Sequence, residues 1–397
     1  MTYKTFEDIS VQGKKVLVRV DFNVPLDSKG QVSDDTRIIK TLPTIQSLVK
    51  RKARVILMSH LGRPKGKKDP KYSLKPVAER LSKLLKQPVH FISDCIGPVA
   101  KKETGALKNG EVALLENLRF YPEEEKNNDE FSASLASLAD FFVSDAFGAA
   151  HRAHASTVGV AKYLPAVGGA LLSKEIEYFD RVLEHSTRPF VAILGGAKVV
   201  DKIKVIENLM SKVDCLLIGG AMAYTFLKAR RHHIGNSMFD AEGFDTAKRI
   251  LEAAKVKGVQ FILPSDHVIA ETVTLDSKVD VCEVDIPDGW IGVDIGPKTI
   301  ERFKATVEKA NTVIWNGPVG VFELEPFSKG TRELAHCLAK LKEKNNVTTV
   351  IGGGETAAAV VQLGLESSMS HVSTGGGASL EYLEGKPLPG IQALTPK

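Results

Sequence analysis

Short apolar runs alternate with helix-like stretches along the whole chain, and this alternation limits the fold more than any other feature. A short apolar run bounded by polar residues is typical of a buried strand. Strands that alternate with helices form mostly parallel sheets covered by helices. A chain of 397 residues is also too long for one compact core. We therefore predict an α/β protein of two domains, each with a mostly parallel sheet flanked by helices.

The boundary between the two domains is predicted near Pro165–Gly169, just before a charged amphipathic stretch, Leu171–Glu184. The apolar residues of that stretch recur at helical spacing. They are Ile176, Phe179 and Leu183. We predict one domain over 1–170, a second over 171–383, and a hinge helix that joins them. The segment Lys386–Gly390 contains two prolines that exclude a regular helix, and we expect the tail, 384–397, to pack back on the first domain.

Polar and cationic residues follow the predicted strands of the first half. The strands are Val16–Val20, Val55–Met58, Val112–Leu115 and Phe141–Val143. The residues that follow them are Asp21, Asn23, His60, Arg63, Arg119, Asp145 and Arg152. Ligands bind outside the carboxyl ends of parallel strands, so these residues should share one cleft.

Arginines dominate this set once Arg37 is added to it. Guanidinium groups bind carboxylate and phosphate through paired hydrogen bonds and stay charged. Any one of these arginines alone is better interpreted as a solvated surface charge. Four of them grouped with separate strands instead favour a site for an anion. His60 is a weaker candidate, because a histidine can simply cap or pack.

Glycine turns follow the predicted strands of the second half. The strands are Val191–Leu194, Cys215–Ile218, Val313–Trp315 and Thr348–Ile351, and the turns begin at Gly195, Gly219, Asn316 and Gly352. A strand, a glycine turn and a helix can bind phosphate on backbone N–H groups. Lys198 and Lys202 lie four residues apart after the first turn, which predicts both ammonium groups on one face of a helix. We expect them to contact phosphate, with two surface lysines as the alternative.

The glycine turns leave other interpretations open. The segment Gly352–Ala357 matches G-x-G-x-x-A, so an NAD-dependent dehydrogenase is one alternative. The next strand-like stretch, Ser370–Ser373, ends in another glycine loop instead of the acidic residue that would bind a ribose. No Walker A loop is present. The segment Thr374–Glu381 predicts a helix start that could stabilise a phosphoryl group, with a packing turn as an equal alternative.

Composition argues against several other classes of protein. The net charge is only +5 and no Lys/Arg tract of five occurs, so a nucleic-acid binder is not favoured. The four cysteines are far apart, which argues against a zinc site or a disulfide framework. The N-terminus lacks the apolar core of a signal peptide, and no apolar run is long enough to span a bilayer. We expect a cytoplasmic protein that binds neither nucleic acid nor membrane.

Eight motifs resemble those of the phosphoglycerate kinase family and occur in the family's order. They are Val18–Pro25, Ser59–Pro64, Glu116–Phe120, Asp145–His154, Gly195–Lys202, Trp315–Glu323, Gly352–Thr356 and Ser373–Glu381. The resemblance implies two Rossmann-like domains and reversible transfer of a phosphoryl group between 1,3-bisphosphoglycerate and ADP, giving 3-phosphoglycerate and ATP, in glycolysis and gluconeogenesis. It also implies a Mg²⁺-dependent monomer whose N-terminal domain binds the triose and whose C-terminal domain binds the nucleotide.

The same resemblance assigns roles to individual residues. Phosphoglycerate would be bound by Asp21, Asn23, Arg37, His60, Leu61, Gly62, Arg63, Arg119 and Arg152. The nucleotide would be bound by Lys198, Lys202, Gly219, Gly220, Pro318, Glu323, Gly353, Gly354, Glu355 and Thr356, with Glu355 at the metal. The catalytic residues would be Arg37, Lys198, Lys202, Gly375 and Gly376. No general base is expected, because the nucleophile is a carboxylate that is already ionised at neutral pH. Catalysis would then consist of positioning the substrates, neutralising the charge of the transferred phosphoryl group and closing the two domains around the hinge.

Glu355 departs from the family pattern, which usually has Asp at this position. The extra methylene changes the reach of the carboxylate, so that direct coordination of Mg²⁺ could become water-mediated. Ala221 and Val319 stand where Gly and Met are common, and we expect altered nucleotide affinity at most. An inactive relative of the kinases is the remaining alternative, but every other matched catalytic position keeps its usual residue.

Overall fold

The computed structural model describes residues 2–344 and 347–397, which form two compact units. Unit 1 contains the residues up to Glu177 together with Pro387–Lys397, and unit 2 contains Tyr178–Lys386. The strands are β1 (Lys15–Val20), β2 (Arg54–Met58), β3 (Val89–Ile92), β4 (Val112–Leu115), β5 (Phe141–Asp145), β6 (Ala166–Gly168), β7 (Phe190–Leu194), β8 (Cys215–Ile218), β9 (Gln260–Ile262), β10 (Asp266–Ala270), β11 (Val279–Glu283), β12 (Ile291–Ile295), β13 (Thr312–Asn316), β14 (Thr348–Gly352) and β15 (His371–Val372).

The helices surround these strands. They are α1 (Thr36–Lys50), α2 (Lys75–Leu85), α3 (Gly97–Ala106), α4 (Pro122–Glu125), α5 (Asp129–Ala136), α6 (Ala170–Leu183), α7 (Ile203–Leu209), α8 (Met222–Ala229), α9 (Phe244–Val256), α10 (Pro297–Val307), α11 (Lys329–Lys344), α12 (Gly354–Gln362), α13 (Gly377–Leu383) and α14 (Pro389–Gln392). Within the described ranges, no helix is both long enough and apolar enough to cross a membrane.

Unit 1 is built on a six-stranded parallel sheet with the order β3-β4-β2-β1-β5-β6. The central strand β1 is buried on both faces, because helices cover both sides of a parallel sheet. Its residues Val16, Leu17 and Val18 have no exposed surface. Helix α1 packs against this core through apolar residues spaced at helical intervals, among them Ile38 and Ile45.

Unit 2 repeats this plan with the strand order β15-β14-β13-β7-β8-β9, and all neighbouring strands are again parallel. Trp315 on β13 and Phe303 on α10 are fully buried in its core. The predicted fold class is confirmed. A smaller antiparallel sheet with the order β11-β10-β12 was not predicted. Its edge strand β11 is mostly exposed and lacks the continuous apolar run that marks the parallel strands.

The predicted amphipathic helix after residue 170 is confirmed as α6, and its apolar stripe is buried. Asp145 at the end of β5 caps this helix, because its Oδ1 accepts hydrogen bonds from the N–H groups of Leu171 at 2.9 Å and Leu172 at 3.1 Å. Burial raises the pKa of Asp145 to about 6. Asp145 was expected in the ligand cleft, and this expectation is wrong. The Asp145 carboxylate is fully buried and accepts its hydrogen bonds from the start of α6.

Candidate functional site

Four neighbouring strands of unit 1 end at one edge of its sheet, and a polar or charged residue follows each of them. The sheet order places β4, β2, β1 and β5 side by side. The residues that follow them are Arg119 after β4, His60 after β2, Asp21 after β1 and Arg152 after β5. The carboxyl ends of parallel strands meet at the same edge of a sheet. The fold therefore brings residues that are far apart in sequence to one edge.

An ion pair positions the arginine that helix α1 contributes to this edge. Nη1 of Arg37 lies 2.6 Å from Oδ2 of Asp21, and the Arg37 side chain remains 37% exposed. Asp21 thus balances one guanidinium group and fixes its direction. The other N–H groups of the Arg37 guanidinium stay accessible to a ligand carboxylate or phosphate.

Two amide side chains fix the loop that follows β2. Oδ1 of Asn23 accepts a hydrogen bond from the N–H of Gly62 at 2.8 Å. Asn117 accepts from the N–H of Leu61 at 3.3 Å and donates to its carbonyl at 2.8 Å. Nη1 of Arg119 also donates to the carbonyl of Gly62 at 3.0 Å. The side chains of Asn23, Asn117 and Arg119 therefore hold Leu61 and Gly62 in place.

The edge concentrates positive charge. Burial lowers the pKa of His60 well below its usual value, and Arg19, Arg119 and Arg37 lower it further. Burial also lowers the pKa of Arg119, to which the charges of Arg152 and Arg63 contribute while Glu125 opposes them. Cations close enough to shift one another's pKa repel, and an anion bound among them relieves that repulsion. Arg63 and Arg152 are exposed and available for such contacts.

A buried group beneath this edge was missed in the sequence analysis. Arg19 on β1 is 1% exposed and donates from Nε to the hydroxyl of Ser156 at 2.8 Å. That hydroxyl donates to Glu124, which is fully buried, at 2.8 Å. An arginine inside an otherwise apolar strand was a visible signal, because a buried charge requires a partner. The partners were not predictable, since more than a hundred residues separate them from Arg19 in sequence.

Unit 2 contains a cavity of about 610 Å³ at the carboxyl ends of β7, β13 and β14. Of the predicted site residues, Lys198, Lys202, Gly353, Gly354, Glu355, Thr356 and Gly376 line it. Gly219, Gly220, Pro318, Glu323 and Gly375 are not among the described residues that line it. Gly375 uses its N–H locally, in a hydrogen bond to the hydroxyl of Ser373 at 3.0 Å.

Lys202 is the most perturbed cation of this cavity. Burial lowers its pKa to about 8, although the nearby carboxylate of Glu355 acts in the opposite direction. Its ammonium group donates to Oδ1 of Asn316. Nδ2 of the same amide is buried and has no hydrogen-bond partner among the described residues. Asn316 thus offers a ligand an unused donor, a role that the sequence analysis did not assign to it.

The glycine turns of unit 2 pack against each other. The N–H of Gly195 donates to the carbonyl of Asn316 at 3.0 Å, and the N–H of Gly220 donates to the carbonyl of Val319 at 2.9 Å. A Cβ on Gly195 would lie 2.0 Å from the carbonyl oxygen of Pro318. The prediction that the N–H groups of these two glycines are exposed for phosphate is wrong. Close packing of backbone on backbone requires these glycines.

The prediction that Lys198 and Lys202 share one face of a helix is also wrong, because α7 begins only at Ile203. Lys202 ends a 3₁₀ turn, Val200–Lys202, and Lys198 precedes it. Oδ2 of Asp240 accepts a hydrogen bond from the N–H of Val200 at 3.0 Å, and this distant contact gives the segment its irregular path. Both lysines nevertheless line the same cavity.

Thr356 belongs to the cavity wall through a buried hydroxyl. It accepts a hydrogen bond from the N–H of Gly317 at 2.6 Å, and its residue has no exposed surface. The contact ties the turn after β13 to the start of α12. Gly317 itself has a φ of +97°, which L side chains rarely adopt.

A larger cavity, of about 740 Å³, lies where α8, α9 and β9 meet. Arg230, Arg231 and Lys255 are exposed on its rim. None of the predicted site residues lines it, and no glycine turn opens into it. Ligands of parallel α/β sheets bind at carboxyl ends of strands, so we take the smaller cavity as the candidate site of unit 2.

One α/β unit thus gathers guanidinium groups at a sheet edge, and the other places lysines, a carboxylate and glycine turns around a cavity. This combination is typical of the class of enzymes that act on phosphorylated small molecules.

Comparison with known proteins specifies the family. The family model described as phosphoglycerate kinase matches residues 6–386. The phosphoglycerate kinase of Fervidobacterium nodosum is 52% identical over 395 residues, which are 99% of this chain and 98% of the relative. That of Chloroflexus aurantiacus is 54% identical over 397 residues, covering 99% of each. The structure of phosphoglycerate kinase from Coxiella burnetii matches with a TM-score of 0.89 and 43% identity over 98% of both chains. The chain belongs to the phosphoglycerate kinase family and is a kinase.

Proposed function

We propose that unit 1 binds phosphoglycerate and unit 2 binds Mg-nucleotide in the phosphoglycerate kinase reaction. That reaction transfers a phosphoryl group reversibly between 1,3-bisphosphoglycerate and ADP, giving 3-phosphoglycerate and ATP, and it belongs to glycolysis and gluconeogenesis. In the ATP-consuming direction the carboxylate of 3-phosphoglycerate attacks the terminal phosphorus of ATP. A new C–O–P bond forms while the bond to ADP breaks. The nucleophile is already ionised at neutral pH, so the reaction needs no general base.

The single observation that carries the assignment of unit 1 is the cationic edge of its sheet. Arg37, His60, Arg63, Arg119 and Arg152 are the side chains for the phosphate and carboxylate of phosphoglycerate. Arg37 keeps an exposed fork beside Asp21, and His60 is kept neutral by its surroundings. Guanidinium groups suit phosphate and carboxylate because their N–H pairs match the spacing of the oxygens.

In unit 2 we assign the nucleotide phosphates to Lys198, Lys202 and the start of α12, which line one cavity. Lys202 neutralises the charge of the transferred phosphoryl group, and the open donor of Asn316 contributes a hydrogen bond. The adenine and ribose are assigned to the turns at Gly219, Gly220 and Pro318, with Glu323 at the ribose. Support for this placement is that Gly317, next to Pro318, lines the cavity.

The residues of this cavity fit a magnesium ion that arrives with the nucleotide. Among the described residues, no cluster of three or more His, Cys, Asp or Glu is arranged to bind a metal unaided. Mg²⁺ in kinases typically takes one or two carboxylates together with substrate phosphates, and Glu355 is an exposed carboxylate in the cavity wall. When bound, the ion would neutralise phosphate charge. Glu355 would hold it beside Lys202.

We also assign the chain to the cytoplasm, as a monomer. The four cysteines are free, which fits a reducing compartment. Sedimentation of the purified chain at several concentrations tests the monomer, because a sedimentation coefficient that rises with concentration would contradict it.

The reaction is tested by trapping its unstable product. Enzyme, Mg-ATP, 3-phosphoglycerate and hydroxylamine are mixed, and acyl phosphate is captured as the hydroxamate. Trapping removes the product of the unfavourable direction, so that even a slow enzyme gives a signal. We expect hydroxamate only when both substrates and metal are present. Folded protein that yields none would contradict the proposal.

Replacement of Glu355 by Gln is expected to raise the Mg²⁺ concentration for half-maximal activity by about 10-fold or more. The amide keeps the shape of the side chain and loses the charge that holds the cation, and interactions with charged groups are worth roughly this factor. The measurement is a Mg²⁺ titration at fixed ATP. Glu308→Gln removes an exposed carboxylate outside the cavity and should change nothing. Glu355→Asp tests reach separately: an unchanged titration would show that the extra methylene is not limiting.

The pKa of Lys202, at about 8, predicts a pH dependence of nucleotide use. The protonated amine is the form that attracts phosphate, so it is present below this pKa and lost above it. We therefore expect kcat/KM for ATP to fall about 10-fold per pH unit above about pH 8, because this ratio reports the free enzyme. In Lys202→Arg the decline should move to higher pH, since a guanidinium stays charged. A wild-type profile that stays flat to about pH 9 would rule out this titration.

A further inference from the structure

Arg19 is a cation enclosed in the centre of unit 1, directly below the cationic edge. It lies on β1, is 1% exposed, and has almost no surface to offer a ligand. Its guanidinium group has three partners: the Ser156 hydroxyl at 2.8 Å, Nδ1 of His60 at 3.1 Å, and the carbonyl of Val20. A buried charge is retained only where it is paired and hydrogen-bonded. The contacts of Arg19 therefore indicate what it does.

The counter-charge of Arg19 is Glu124, which Ser156 connects to it. Oε1 of Glu124 accepts from the Ser156 hydroxyl at 2.8 Å, and Oε2 accepts from the Ser156 N–H at 3.0 Å. Burial raises the pKa of Glu124, but the nearby His154 ring, whose Nδ1 lies 3.6 Å from Oε1, the charge of Arg19 and the Ser156 hydrogen bond outweigh it, and the net pKa is lowered. Glu124 is therefore ionised, and the cation and anion are bridged by one serine.

The contact between Arg19 and His60 determines where His60 carries its proton. A guanidinium group has five N–H donors and no acceptor, and it keeps its charge in proteins. Nδ1 of His60 must therefore accept the hydrogen bond from Nη2 of Arg19. A neutral imidazole that accepts at Nδ1 has its proton on Nε2.

The charges around His60 also oppose a second proton on its ring. They come from Arg19 on β1, Arg37 on α1, Arg119 after β4, and His154, and burial acts in the same direction. The imidazolium form would have to lose the Arg19 contact and would face these cations. Neutral His60 is thus favoured by geometry and by charge.

We propose that Arg19, held by Ser156 and Glu124, is a positioning residue that fixes His60 as the neutral tautomer with its proton on Nε2. His60 then always offers phosphoglycerate an N–H donor and does not lose it by tautomer exchange. The inference rests on the proposed function, in which His60 contacts phosphoglycerate. Arg19 itself acts only through His60.

The first test measures the tautomer in the unmodified protein. The whole chain is labelled with ¹⁵N-histidine, and the His60 signals are assigned by their loss in His60→Gln. We expect a proton on Nε2 and a bare Nδ1 at neutral pH, with protonation of the ring shifted to lower pH than in a free histidine. A proton on Nδ1, or a ring that protonates no less readily than a free histidine, would overturn the inference. This readout needs no ligand and no Arg19 variant.

The second test uses kinetics. In Arg19→Met, KM for 3-phosphoglycerate should rise about 10-fold or more while KM for ATP stays unchanged. The reason is that His60 would exchange between tautomers and would lose part of its hydrogen bond to a charged group of the ligand. Arg19→Lys keeps a charged donor and should restore part of the loss, which also covers the case in which the methionine variant does not fold. Arg51→Met is the matched control, since Arg51 also donates to backbone carbonyls of unit 1, at 2.7 Å to Phe6, but lies outside this group. Equal KM values for 3-phosphoglycerate in the Arg19 variants and the Arg51 control would overturn the inference.

The two tests separate failure of the inference from failure of the proposed function. If His60→Gln leaves KM for 3-phosphoglycerate unchanged, His60 does not contact the substrate, whatever its tautomer. If His60→Gln raises that KM while the ring carries its proton on Nδ1, the substrate contact stands and the positioning role of Arg19 is wrong.

Discussion

Replacement of Lys202 by methionine is expected to lower kcat by about 10²- to 10³-fold, the usual cost of removing one group that stabilises charge in a transition state. Lys202 is the partly buried cation of the cavity that we assign to the nucleotide, and its ammonium group is fixed by Asn316. A fixed cation in a partly desolvated site needs no reorganisation when charge develops. KM for ATP should rise less than kcat falls, because the contact is strongest in the transition state.

Two further variants test whether the decrease in kcat is specific to the charge of Lys202. Lys204→Met removes an exposed lysine two residues away that does not line the cavity, and it should keep wild-type kinetics. Lys202→Arg keeps the charge with a different shape and should recover part of kcat. A decrease in Lys202→Met confined to KM for ATP would show that Lys202 binds the ground state as strongly as the transition state. Circular dichroism of each variant checks that the fold is intact.

Eight of the parallel strands could be predicted because each is a largely apolar run, and the structure extends six of them by one or two residues; they are β1, β2, β4, β5, β7, β8, β13 and β14. The parallel strands β3, β6 and β9 were not predicted. The strands that were not predicted lack that signal. In β11 the residues Asp280 and Glu283 interrupt the apolar pattern, and the strand is exposed at the edge of its sheet. The start of α7 could not be located, because Asp240, forty residues away, determines the path of the preceding turn.

In the candidate site, too, some features could be predicted from sequence patterns and others depend on the tertiary fold. The residues at strand ends could be predicted, since the topology of a parallel sheet alone places them at one edge. The network of Arg19, Ser156 and Glu124 could not, because it depends on side chains that only the tertiary fold brings together. The glycine turns at Gly195 and Gly220 were recognised in the sequence, but the reason given for these two glycines was wrong. Whether a glycine N–H is exposed or packed against another turn depends on distances that no sequence pattern contains.

Replacement of Gly317 by alanine is expected to destabilise unit 2 by about 2 to 5 kcal/mol, the sum of backbone strain and overpacking. Its φ of +97° is unfavourable for any residue with a Cβ. The new methyl group would also lie 2.2 Å from the carbonyl oxygen of Gly195. The three nearest atoms, O, C and Cα of Gly195, all belong to the backbone, so no flexible side chain can move away. The turn after β13 would have to shift, and with it the hydrogen bond from Gly317 to Thr356.

Gly364→Ala separates the two causes. Gly364 also has a positive φ, of +70°, but a Cβ there would meet nothing within 4 Å, so only strain remains, and we expect a loss of about 1 to 2 kcal/mol. The measurement is urea unfolding followed by tryptophan fluorescence. Both tryptophans of the chain, Trp290 and Trp315, lie in unit 2, so the signal reports that unit. Equal unfolding midpoints for the two variants would show that the close packing of the glycine turns contributes no stability. A lower midpoint for Gly317→Ala, with weaker ATP binding, would mean that the same backbone contacts shape the nucleotide cavity.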